Sequence, residues 1–480
     1  MDLEKFLKFE KDMDLFTDEI NGVRYWHIIR KYVYDEIQKD KDGVGTPHTT
    51  LENRGLLYRA LLKVKQIPNI LFNSPIFLKE KDILILNHHR RVKKENLYEC
   101  IYTDEIIRHI NHSYLVLEDP LLDMHYRPIP PTNIRYTDNI YNRYVFKRII
   151  NSLFKLSFVA KTEKENFLKL INKINIEFNV NLSQQYMLRL LENNLLQYQV
   201  IYKQFNKIIN KVKPKIILEV VSYGLSRYAI NDIAKRKGIP TVELQHGTMG
   251  KYHVSYNFAQ KMNLYTFPEY LFLFGDYWKY NTNFPIDDTK VRVVGWPSYE
   301  ENVKLFNKRI NKRNKKRVIL FISQGTIGKE LSKIALELSK IINLDNYEII
   351  YKLHPGEYAR WKIEYPWLET SNDIQVIDNN KREMHYYFSK SDIQVGVYST
   401  ALYEGLGYGL ETYVCKIFGY KNMEELYNNN YVNLVESADD LSLYINKLNY
   451  YKAQYDTSYF WKDNSLDNIV KEVGAIISKT

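Results

Sequence analysis

The chain has 480 residues, of which 45% are hydrophobic and 26% are charged, with 14 prolines and 19 glycines. This composition excludes a disordered or low-complexity protein and predicts two or three compact domains. Only two cysteines are present, which excludes a disulfide scaffold and a cysteine-rich zinc site. The net charge of +11 favours an acidic partner such as a nucleotide-activated substrate, an anionic membrane face or nucleic acid, although lysine-rich surfaces can also simply be soluble.

Residues 1–75 are predicted to form a helical segment, because apolar residues recur there at helical spacing on both sides of a polar loop at 42–50. The run from Leu56 to Val64 also carries Arg59 and Lys63, a mixture that can lie on an anionic membrane surface, although packing against the next domain is the simpler use. The amino terminus lacks the apolar stretch of a signal peptide, and no run has the length of a membrane span. We therefore expect a cytoplasmic protein, at most peripheral on the inner face of the plasma membrane.

Residues 76–305 are predicted to form a first Rossmann-like α/β domain with a helical insertion at 141–212. Short, nearly continuous apolar runs are typical of buried parallel strands. The clearest β-α-β unit spans residues 215–244, with Gly238 after its helix and Pro240 before the next strand. The predicted strands lie at 81–87, 113–118, 215–221, 241–244, 270–274 and 290–294.

Residues 306–480 are predicted to form a second Rossmann-like domain that ends in helices. The basic stretch from Lys308 to Arg317 is interpreted as an exposed connection between the two domains. Strands are predicted at 318–322, 347–353, 374–377, 393–397 and 412–417. Strands that alternate with helices imply parallel sheets, and ligands of such sheets bind beyond the carboxyl ends of the strands, so function should lie directly after each strand.

Four loops at these strand ends carry residues suited to chemistry. Hydroxyl groups and free N–H groups at helix starts can bind phosphate, although simple capping is the structural alternative for Ser399 and Thr400. The glycine spacing matches neither a dinucleotide fingerprint nor a P-loop. The four loops are Gln245-His246-Gly247-Thr248, Ser323-Gln324-Gly325-Thr326, His354-Pro355-Gly356-Glu357 and Tyr398-Ser399-Thr400.

Two histidines stand out in these loops. Pro355 biases His354 toward an extended conformation, which holds the imidazole at the strand end, where it can donate to a phosphate or accept a proton. His246 belongs to the other predicted domain, and its neighbour Gly247 permits close approach of a ligand to the backbone. A lone histidine at a strand end is more often structural, but the joint placement of these loops favours a functional interpretation.

The motifs resemble those of known families. Leu353-His354-Pro355 together with Tyr398-Ser399-Thr400 resembles the HP and S/T motif pair of bacterial sialyl- and polysialyltransferases and of CDP-glycerol glycerophosphotransferases. The run Glu243–Gly247 (ELQHG) resembles a first-domain motif of capsule and lipopolysaccharide glycosyltransferases. The resemblance covers residues 215–420 and implies a GT-B fold, in which two Rossmann-like domains face each other across a cleft. It also implies that the second domain holds the nucleotide donor, through His354, Ser399 and Thr400, and that His246 faces the reacting centre.

We therefore expect a glycosyltransferase that uses a nucleotide-sugar donor and a glycan or lipid-linked acceptor, with no metal and no cofactor. His246 is the first candidate for the general base, with Glu118 or Asp119 behind it, and activity should rise with pH through the pKa of His246. Glu404 is expected either to bind ribose hydroxyls or to face solvent.

Two other functions stay open at this point. A glycerol- or ribitol-phosphate transferase with a CDP-alditol donor could use the same loops. A non-catalytic binder of polymers or nucleic acid is disfavoured, since the basic residues are spread over the chain apart from the predicted connection.

Overall fold

The computed structural model describes residues 3–42, 56–75, 78–130, 132–154, 157–309, 316–447 and 455–479. The predicted polar loop beyond residue 42 and the centre of the predicted basic connection, residues 310–315, lie outside these ranges. Within the ranges, no helix combines the length and the apolar character that a membrane crossing requires.

The amino-terminal helices form part of the core of the first domain. Glu10 and Arg30 make a buried ion pair, with 2.6 Å between Glu10 Oε2 and Arg30 Nη2. The Arg30 guanidinium also donates to the carbonyl oxygens of Val254 and Asn257, at 2.8 and 3.1 Å. These contacts tie the segment to the chain after residue 250. Its elements are α1 (Leu3–Asp12), β1 (Glu19–Ile20), β2 (Val23–Arg24), α2 (Trp26–Asp42) and α3 (Leu56–Phe72), so the helix predicted from Leu56 continues to Phe72.

Residues 78–309 surround the first large sheet. In chain order the elements are β3 (Ile83–Leu86), β4 (Arg91–Lys94), β5 (Leu97–Cys100), α4 (Asp104–His109), β6 (Tyr114–Glu118), β7 (Ile134–Tyr136), α5 (Asp138–Leu153), α6 (Lys161–Phe178), α7 (Gln184–Val212), β8 (Ile216–Val220), α8 (Leu225–Arg236), β9 (Thr241–Leu244), β10 (Tyr270–Leu273), α9 (Asp276–Tyr280), β11 (Val291–Val293) and α10 (Pro297–Arg309). Seven of the strands form a parallel sheet in the order β11-β10-β9-β8-β3-β6-β7, while β4 and β5 form a separate hairpin.

Both faces of this sheet are covered. Ile83 and Ile85 of β3 belong to one hydrophobic core, and Leu84 and Leu86 belong to another, as the alternation of side chains along a strand requires. The six predicted strands are confirmed, each within two residues of its predicted bounds. The insertion consists of three helices, α5 to α7.

The second large sheet has six parallel strands. In chain order the elements are β12 (Arg317–Ile322), α11 (Gly328–Ile341), β13 (Tyr347–Lys352), α12 (Trp361–Glu364), α13 (Pro366–Thr370), β14 (Ile374–Ile377), α14 (Met384–Lys390), β15 (Ile393–Gly396), α15 (Thr400–Leu406), β16 (Glu411–Cys415), α16 (Glu424–Asn428), β17 (Asn433–Val435), α17 (Ala438–Asn446) and α18 (Ser465–Ile477). The strand order is β14-β13-β12-β15-β16-β17. The five predicted strands are confirmed, and β17 was not predicted.

The carboxyl-terminal segment returns to the first domain. The Lys462 N–H donates to the carbonyl oxygen of Phe274 at 2.7 Å, and the Trp278 indole donates to that of Phe460 at 3.2 Å. A β-carbon on Gly275 would lie 2.3 Å from the Phe460 oxygen, so only glycine admits this close approach of the two backbones. The predicted domain 306–480 thus ends in residues that pack on the first domain.

Candidate active site

Each large sheet reverses its strand order at one point, between β3 and β8 in the first and between β12 and β15 in the second. Ligands of open parallel sheets bind beyond the carboxyl ends of the strands at such points. In the second sheet, the loops after these two strands hold residues 323–326 and 398–400. In the first sheet, the loop that holds His246 follows β9, the neighbour of β8. The predicted site loops therefore lie where a ligand is expected.

A cavity of about 350 Å³ lies between the two domains. A β-carbon on Gly247 would lie 3.7 Å from Thr400 Oγ1, so the predicted loops of the two domains face each other. The cavity lining includes four predicted site residues, namely Thr248, Gln324, Ser399 and Thr400.

Ser399 and Gln324 both belong to the cavity lining, but their polar atoms differ in their hydrogen bonds. Ser399 Oγ accepts a hydrogen bond from the backbone N–H of Ala401 at 3.2 Å, so the capping alternative is correct for this side chain. The amide oxygen of Gln324 is buried, and it has no hydrogen-bond partner among the residues that the structure describes. Because buried polar atoms normally find partners, a bound molecule could satisfy Gln324.

Glu357 joins the His354 loop to the Ser323 loop. Its buried carboxylate accepts from Ser323 Oγ and from the Tyr365 hydroxyl, each at 2.9 Å, and from the His354 N–H at 2.7 Å. A β-carbon on Gly328 would lie 2.2 Å from Glu357 Oε1, so glycine is required there for the close approach. This role of Glu357 was not predicted, although a glutamate three residues after the histidine has capping-box spacing.

His354 is exposed at the end of β13. Its Nδ1 accepts from the Gly356 N–H at 3.1 Å, so the neutral ring carries its proton on Nε2, which can donate to an anion. Desolvation lowers the pKa of His354, which keeps the ring neutral near pH 7. The lining of the cavity does not include His354, so a ligand that touches both His354 and Ser399 must extend beyond the cavity.

His246 follows β9 and lies among aromatic and basic side chains. Its Nε2 is 3.0 Å from the Tyr223 hydroxyl, and its Nδ1 is 3.8 Å from Glu243 Oε1. Burial, and then the charge of His253 and of two other basic neighbours, lowers the pKa of His246 to about 3. The ring is therefore neutral at physiological pH, as a proton acceptor must be. The expected rise of activity through the pKa of His246 would consequently lie far below neutral pH.

The loop after β9 is fixed on both sides. The Gln245 side chain accepts from the Phe274 N–H at 2.7 Å and donates to the Gly247 carbonyl oxygen at 2.8 Å. The Tyr102 hydroxyl donates to the carbonyl oxygen of His246 at 2.6 Å. Gln245 is thus a buried structural residue that shapes the turn.

The other predicted residues of the second domain lie at the loop surfaces. Thr326 Oγ1 is 2.5 Å from the Tyr398 hydroxyl, which links the loops after β12 and β15. A β-carbon on Gly325 would lie 2.7 Å from the Arg360 guanidinium, so glycine leaves room for that side chain. Pro355 begins a short 3-10 turn over residues 355–357.

Residues 88–90 lie beside His246 in the first domain and were not predicted as site residues. They come directly after β3, at the reversal point of the first sheet. The ring centroids of His88 and His246 are 6.3 Å apart, and His88 Nδ1 accepts from the Arg90 N–H at 3.0 Å. The signal was available, because a run of two histidines and two arginines follows a predicted strand.

An ion pair connects the two domains. Arg90 Nη2 lies 3.8 Å from Glu404 Oε1, and His385 Nε2 lies 4.0 Å from the other carboxyl oxygen. The Glu404 side chain is only 4% exposed, so the solvent-facing alternative is wrong. Burial raises the pKa of Glu404, and the charge of Arg90 partly offsets this effect.

Glu118 and Asp119, the reserve candidates for the base, are held in ion pairs after β6. Glu118 contacts His125 and Arg91, and Asp119 Oδ2 accepts from Arg227 at 2.9 Å. Burial alone would raise both pKa values, but these basic partners hold them below the usual carboxyl values. Because their lone pairs are occupied and their basicity is reduced, the geometry argues against either residue as the base.

Comparison with known proteins bears on the fold. No protein-family model and no curated protein matches this sequence. A solved structure from Listeria monocytogenes, assigned as a UDP-N-acetylglucosamine 2-epimerase, is 12% identical with a TM-score of 0.51, over 83% of this chain and 98% of that chain. UDP-GlcNAc 2-epimerase from Methanocaldococcus jannaschii is 14% identical with a TM-score of 0.49, over 82% and 99%. The wall teichoic acid polymerase TagF is 12% identical with a TM-score of 0.43, over 88% and 98%. At such identities the likeness concerns the fold alone, and it confirms the predicted GT-B arrangement of two parallel α/β domains across a cleft.

Proposed function

We propose that this chain is a glycosyltransferase that moves a sugar from a nucleotide-sugar donor to a bacterial surface polysaccharide or to its lipid-linked precursor. The observation that carries the proposal is that the loop of His246, a neutral imidazole, faces the loop of the Ser399 and Thr400 hydroxyls. A β-carbon on Gly247 would lie 3.7 Å from Thr400 Oγ1, although the cavity lining does not include His246 itself. Sugar transfer requires both kinds of group, because the acceptor hydroxyl must lose a proton while negative charge develops on the departing phosphate.

The second domain is assigned the donor nucleotide. The Thr400 hydroxyl and the amide of Gln324 line the cavity, and the Nε2 proton of His354 can bind an outer phosphate oxygen. The buried carboxyl of Glu404 is a candidate partner for ribose hydroxyls, with Arg90 from the first domain beside it. In this proposal, hydrogen bonds from the protein stabilise the leaving phosphate, and no metal is needed.

The first domain is assigned the acceptor. His246 Nε2 takes the proton of the acceptor hydroxyl, and the acceptor oxygen attacks the anomeric carbon of the donor sugar. The Tyr223 hydroxyl lies 3.0 Å from Nε2, so in this proposal it gives up that contact when the acceptor hydroxyl takes its place.

Incubation of the purified chain with radiolabelled nucleotide sugars and CDP-alditols, with and without membrane-derived acceptor lipids, tests the proposal. Transfer of label from one nucleotide sugar to the acceptor fraction is the expected result. Transfer from a CDP-alditol alone would point to a glycerol- or ribitol-phosphate transferase instead. Conversion of UDP-GlcNAc without an acceptor would point to the epimerase chemistry named for structures of similar fold.

We further infer that the protein docks on anionic lipid through a lipid-facing surface formed by α3, residues 121–127 and α5. Large apolar side chains are exposed there, including Phe72 at 79% and Phe146 at 66%. Lys63 Nζ donates to the side chains of Asp123 and Asn142, at 2.6 and 2.8 Å, which ties the three segments together. Helix α5 also carries exposed arginines, at positions 143 and 148, which complement anionic headgroups.

A further inference from the structure

Two carboxyl groups lie side by side on the first sheet, close to the candidate base. Glu219 of β8 pairs in register with Glu243 of β9, and both side chains are fully buried. Glu219 Oε1 accepts from the Asn231 amide at 2.8 Å, and Glu243 Oε1 accepts from the Tyr256 hydroxyl. Among the described residues, Glu219 Oε2 has no hydrogen-bond partner, and Glu243 Oε2 has none either, although the side chain and backbone N–H of Ser222 lie near enough to this carboxyl to lower its pKa. Such unsatisfied buried atoms are rare and call for a functional account.

Glu243 faces one nitrogen of the candidate base. Its Oε1 lies 3.8 Å from His246 Nδ1, which is buried and likewise has no hydrogen-bond partner within the described ranges. The other ring nitrogen, Nε2, is 3.0 Å from the Tyr223 hydroxyl. With Tyr223 donating to Nε2, the ring proton lies on Nδ1, toward Glu243. A separation of 3.8 Å is long for a hydrogen bond but short for an interaction between charges.

The remaining surroundings of His246 work against its protonation. Glu243 is the group around the ring that can carry a negative charge near neutral pH. A base whose protonated form lacks a counter-charge gains little from accepting a proton. The titratable groups that face His246 are His88 and Arg90 after β3, Tyr102 before α4, Tyr223 after β8, and Glu243, His253 and Tyr256 on β9 and in the chain that follows it.

We propose that Glu243 is a positioning residue for His246, which as a carboxylate orients the ring through Nδ1–H and stabilises the imidazolium that forms during transfer. This inference rests on the proposed function. In the step, the acceptor O–H bond breaks and its proton passes to His246 Nε2 while the acceptor oxygen bonds to the anomeric carbon. The bond from that carbon to the phosphate oxygen breaks, and its electron pair leaves with the nucleotide. The imidazolium then releases its proton to water.

Activity is then expected to follow the ionisation of Glu243. Burial raises the pKa of Glu243 to about 7, whereas that of His246 is about 3. Below pH 7 the Glu243 carboxyl is protonated and uncharged, and above pH 7 it carries the charge that His246 needs. The value of kcat should therefore rise through about pH 7. Burial raises the pKa of Glu219 further, to about 8, so Glu219 still holds its proton when Glu243 ionises.

The test compares Glu243→Gln with Glu219→Gln in the full chain. Glu219→Gln is the control, because it makes the same substitution at an equally buried residue of the neighbouring strand. For Glu243→Gln we expect kcat to fall by about 10²-fold, within the range of general-base catalysis. Its KM for the donor should stay unchanged, and its rise near pH 7 should disappear. Glu219→Gln should keep both kcat and the rise, and Glu243→Asp, which retains a carboxylate, should recover part of the rate. The proposal would be overturned if kcat fell equally in the two glutamine variants, or if the rise of kcat near pH 7 persisted in Glu243→Gln.

A second measurement needs no substrate. In protein labelled with ¹⁵N in the histidine rings, the His246 signals can be assigned by their loss in His246→Gln. They should shift near pH 7 in the wild type and in Glu219→Gln, but not in Glu243→Gln. His246 signals with the same pH dependence in the wild type and in Glu243→Gln would refute the coupling. A clear shift together with no sugar transfer from any donor would refute the proposed function instead.

Discussion

Gly247 of the first domain faces Thr400 of the second, with 3.7 Å between the Thr400 hydroxyl and the position that a β-carbon on Gly247 would occupy. This separation is an ordinary van der Waals contact, so the protein itself has room for alanine at this position. Under the proposed function, the absence of a side chain at position 247 leaves room for the donor phosphate between the two loops.

Gly247→Ala is therefore expected to fold normally and to bind the donor less well. The added methyl group should raise the KM for the donor several-fold and leave the thermal midpoint unchanged. Gly474→Ala, in helix α18 with no atom near the new methyl group, is the control. A donor KM equal to that of the wild type in Gly247→Ala would show that the ligand does not approach this backbone.

The hydroxyls of the second domain should contribute to nucleotide binding. We expect His354→Ala and the double change Ser399→Ala/Thr400→Ala to weaken nucleotide affinity in isothermal titration while the fold stays intact. Ser399 also caps α15, so the double variant should lose about 1 kcal/mol of stability as well. Ser437→Ala removes the equivalent cap of α17 and should cost similar stability without any change in affinity. Equal affinities in all variants would refute the donor site.

His246 should be essential for turnover. His246→Ala and His246→Gln are both expected to lower kcat by about 10²–10⁴-fold, because neither side chain can accept the proton. Nucleotide affinity should remain, since the donor binds the other domain. His109→Gln, at an exposed histidine of the same domain, is the control. Near wild-type rates in His246→Gln would show that the residue only donates a hydrogen bond, and that the base lies elsewhere.

Attachment to membranes should depend on both apolar and basic side chains of the lipid-facing surface. We expect the wild type to float with phosphatidylglycerol vesicles at low salt and to be released at high salt. Phe72→Ser/Phe146→Ser and Arg143→Glu/Arg148→Glu should each abolish flotation. Ile176→Ser alters a side chain that is 82% exposed but lies outside this surface, and it should have no effect. A wild-type protein that stays at the bottom of the gradient would show that this surface does not bind anionic lipid.

The contribution of Glu219 and Glu243 to stability should fall as the pH rises from about 5 to 8. Burial raises the pKa of Glu219 to about 8 and that of Glu243 to about 7, whereas both ionise near 4.5 in the unfolded chain. A carboxyl group whose pKa is raised by folding stabilises the protein fully at a pH below its pKa in the unfolded chain. This stabilisation is lost as the pH rises through the pKa of the folded protein, and here it is on the order of a few kcal/mol. The thermal midpoint of the wild type, measured relative to that of Glu219→Gln, should therefore fall between pH 5 and pH 8. A difference between the two midpoints that does not change with pH would contradict the buried pair.

The sequence was sufficient to predict the strands that are buried on both faces. Residues 83–86 and 318–322 are apolar on both faces of their strands, and this pattern is visible without a structure. The three-residue strands β7 and β17 were missed because neither shows a continuous apolar or β-branched run, whereas the equally short β11 stands out by Val291, Val293 and Val294. At the site, residues 323–326 and 398–400 were expected directly after their strands. That these two strands flank the reversal point of the second sheet is known only from the structure.

Contacts between residues that are far apart in the sequence could not be predicted from it. Nothing in the sequence pairs Glu118 with Arg91 and His125, or sets Glu404 against Arg90 in the other domain. These partners decide whether a carboxylate is free or occupied, and they depend on how the strands are ordered in space. The same holds for Glu243, whose motif was visible, whereas its register with Glu219 appears only once β8 and β9 are paired.

The return of the carboxyl-terminal segment means that the two domains are not separable pieces of chain. A fragment that stops at residue 305 would uncover Phe274 and Trp296, whose rings stack at 4.8 Å and contact Trp461. Such a fragment would present a wide aromatic surface to water and should aggregate. A peptide of residues 455–479 supplied in trans could cover that surface, so fragment complementation would require this segment as a third piece alongside the two domains.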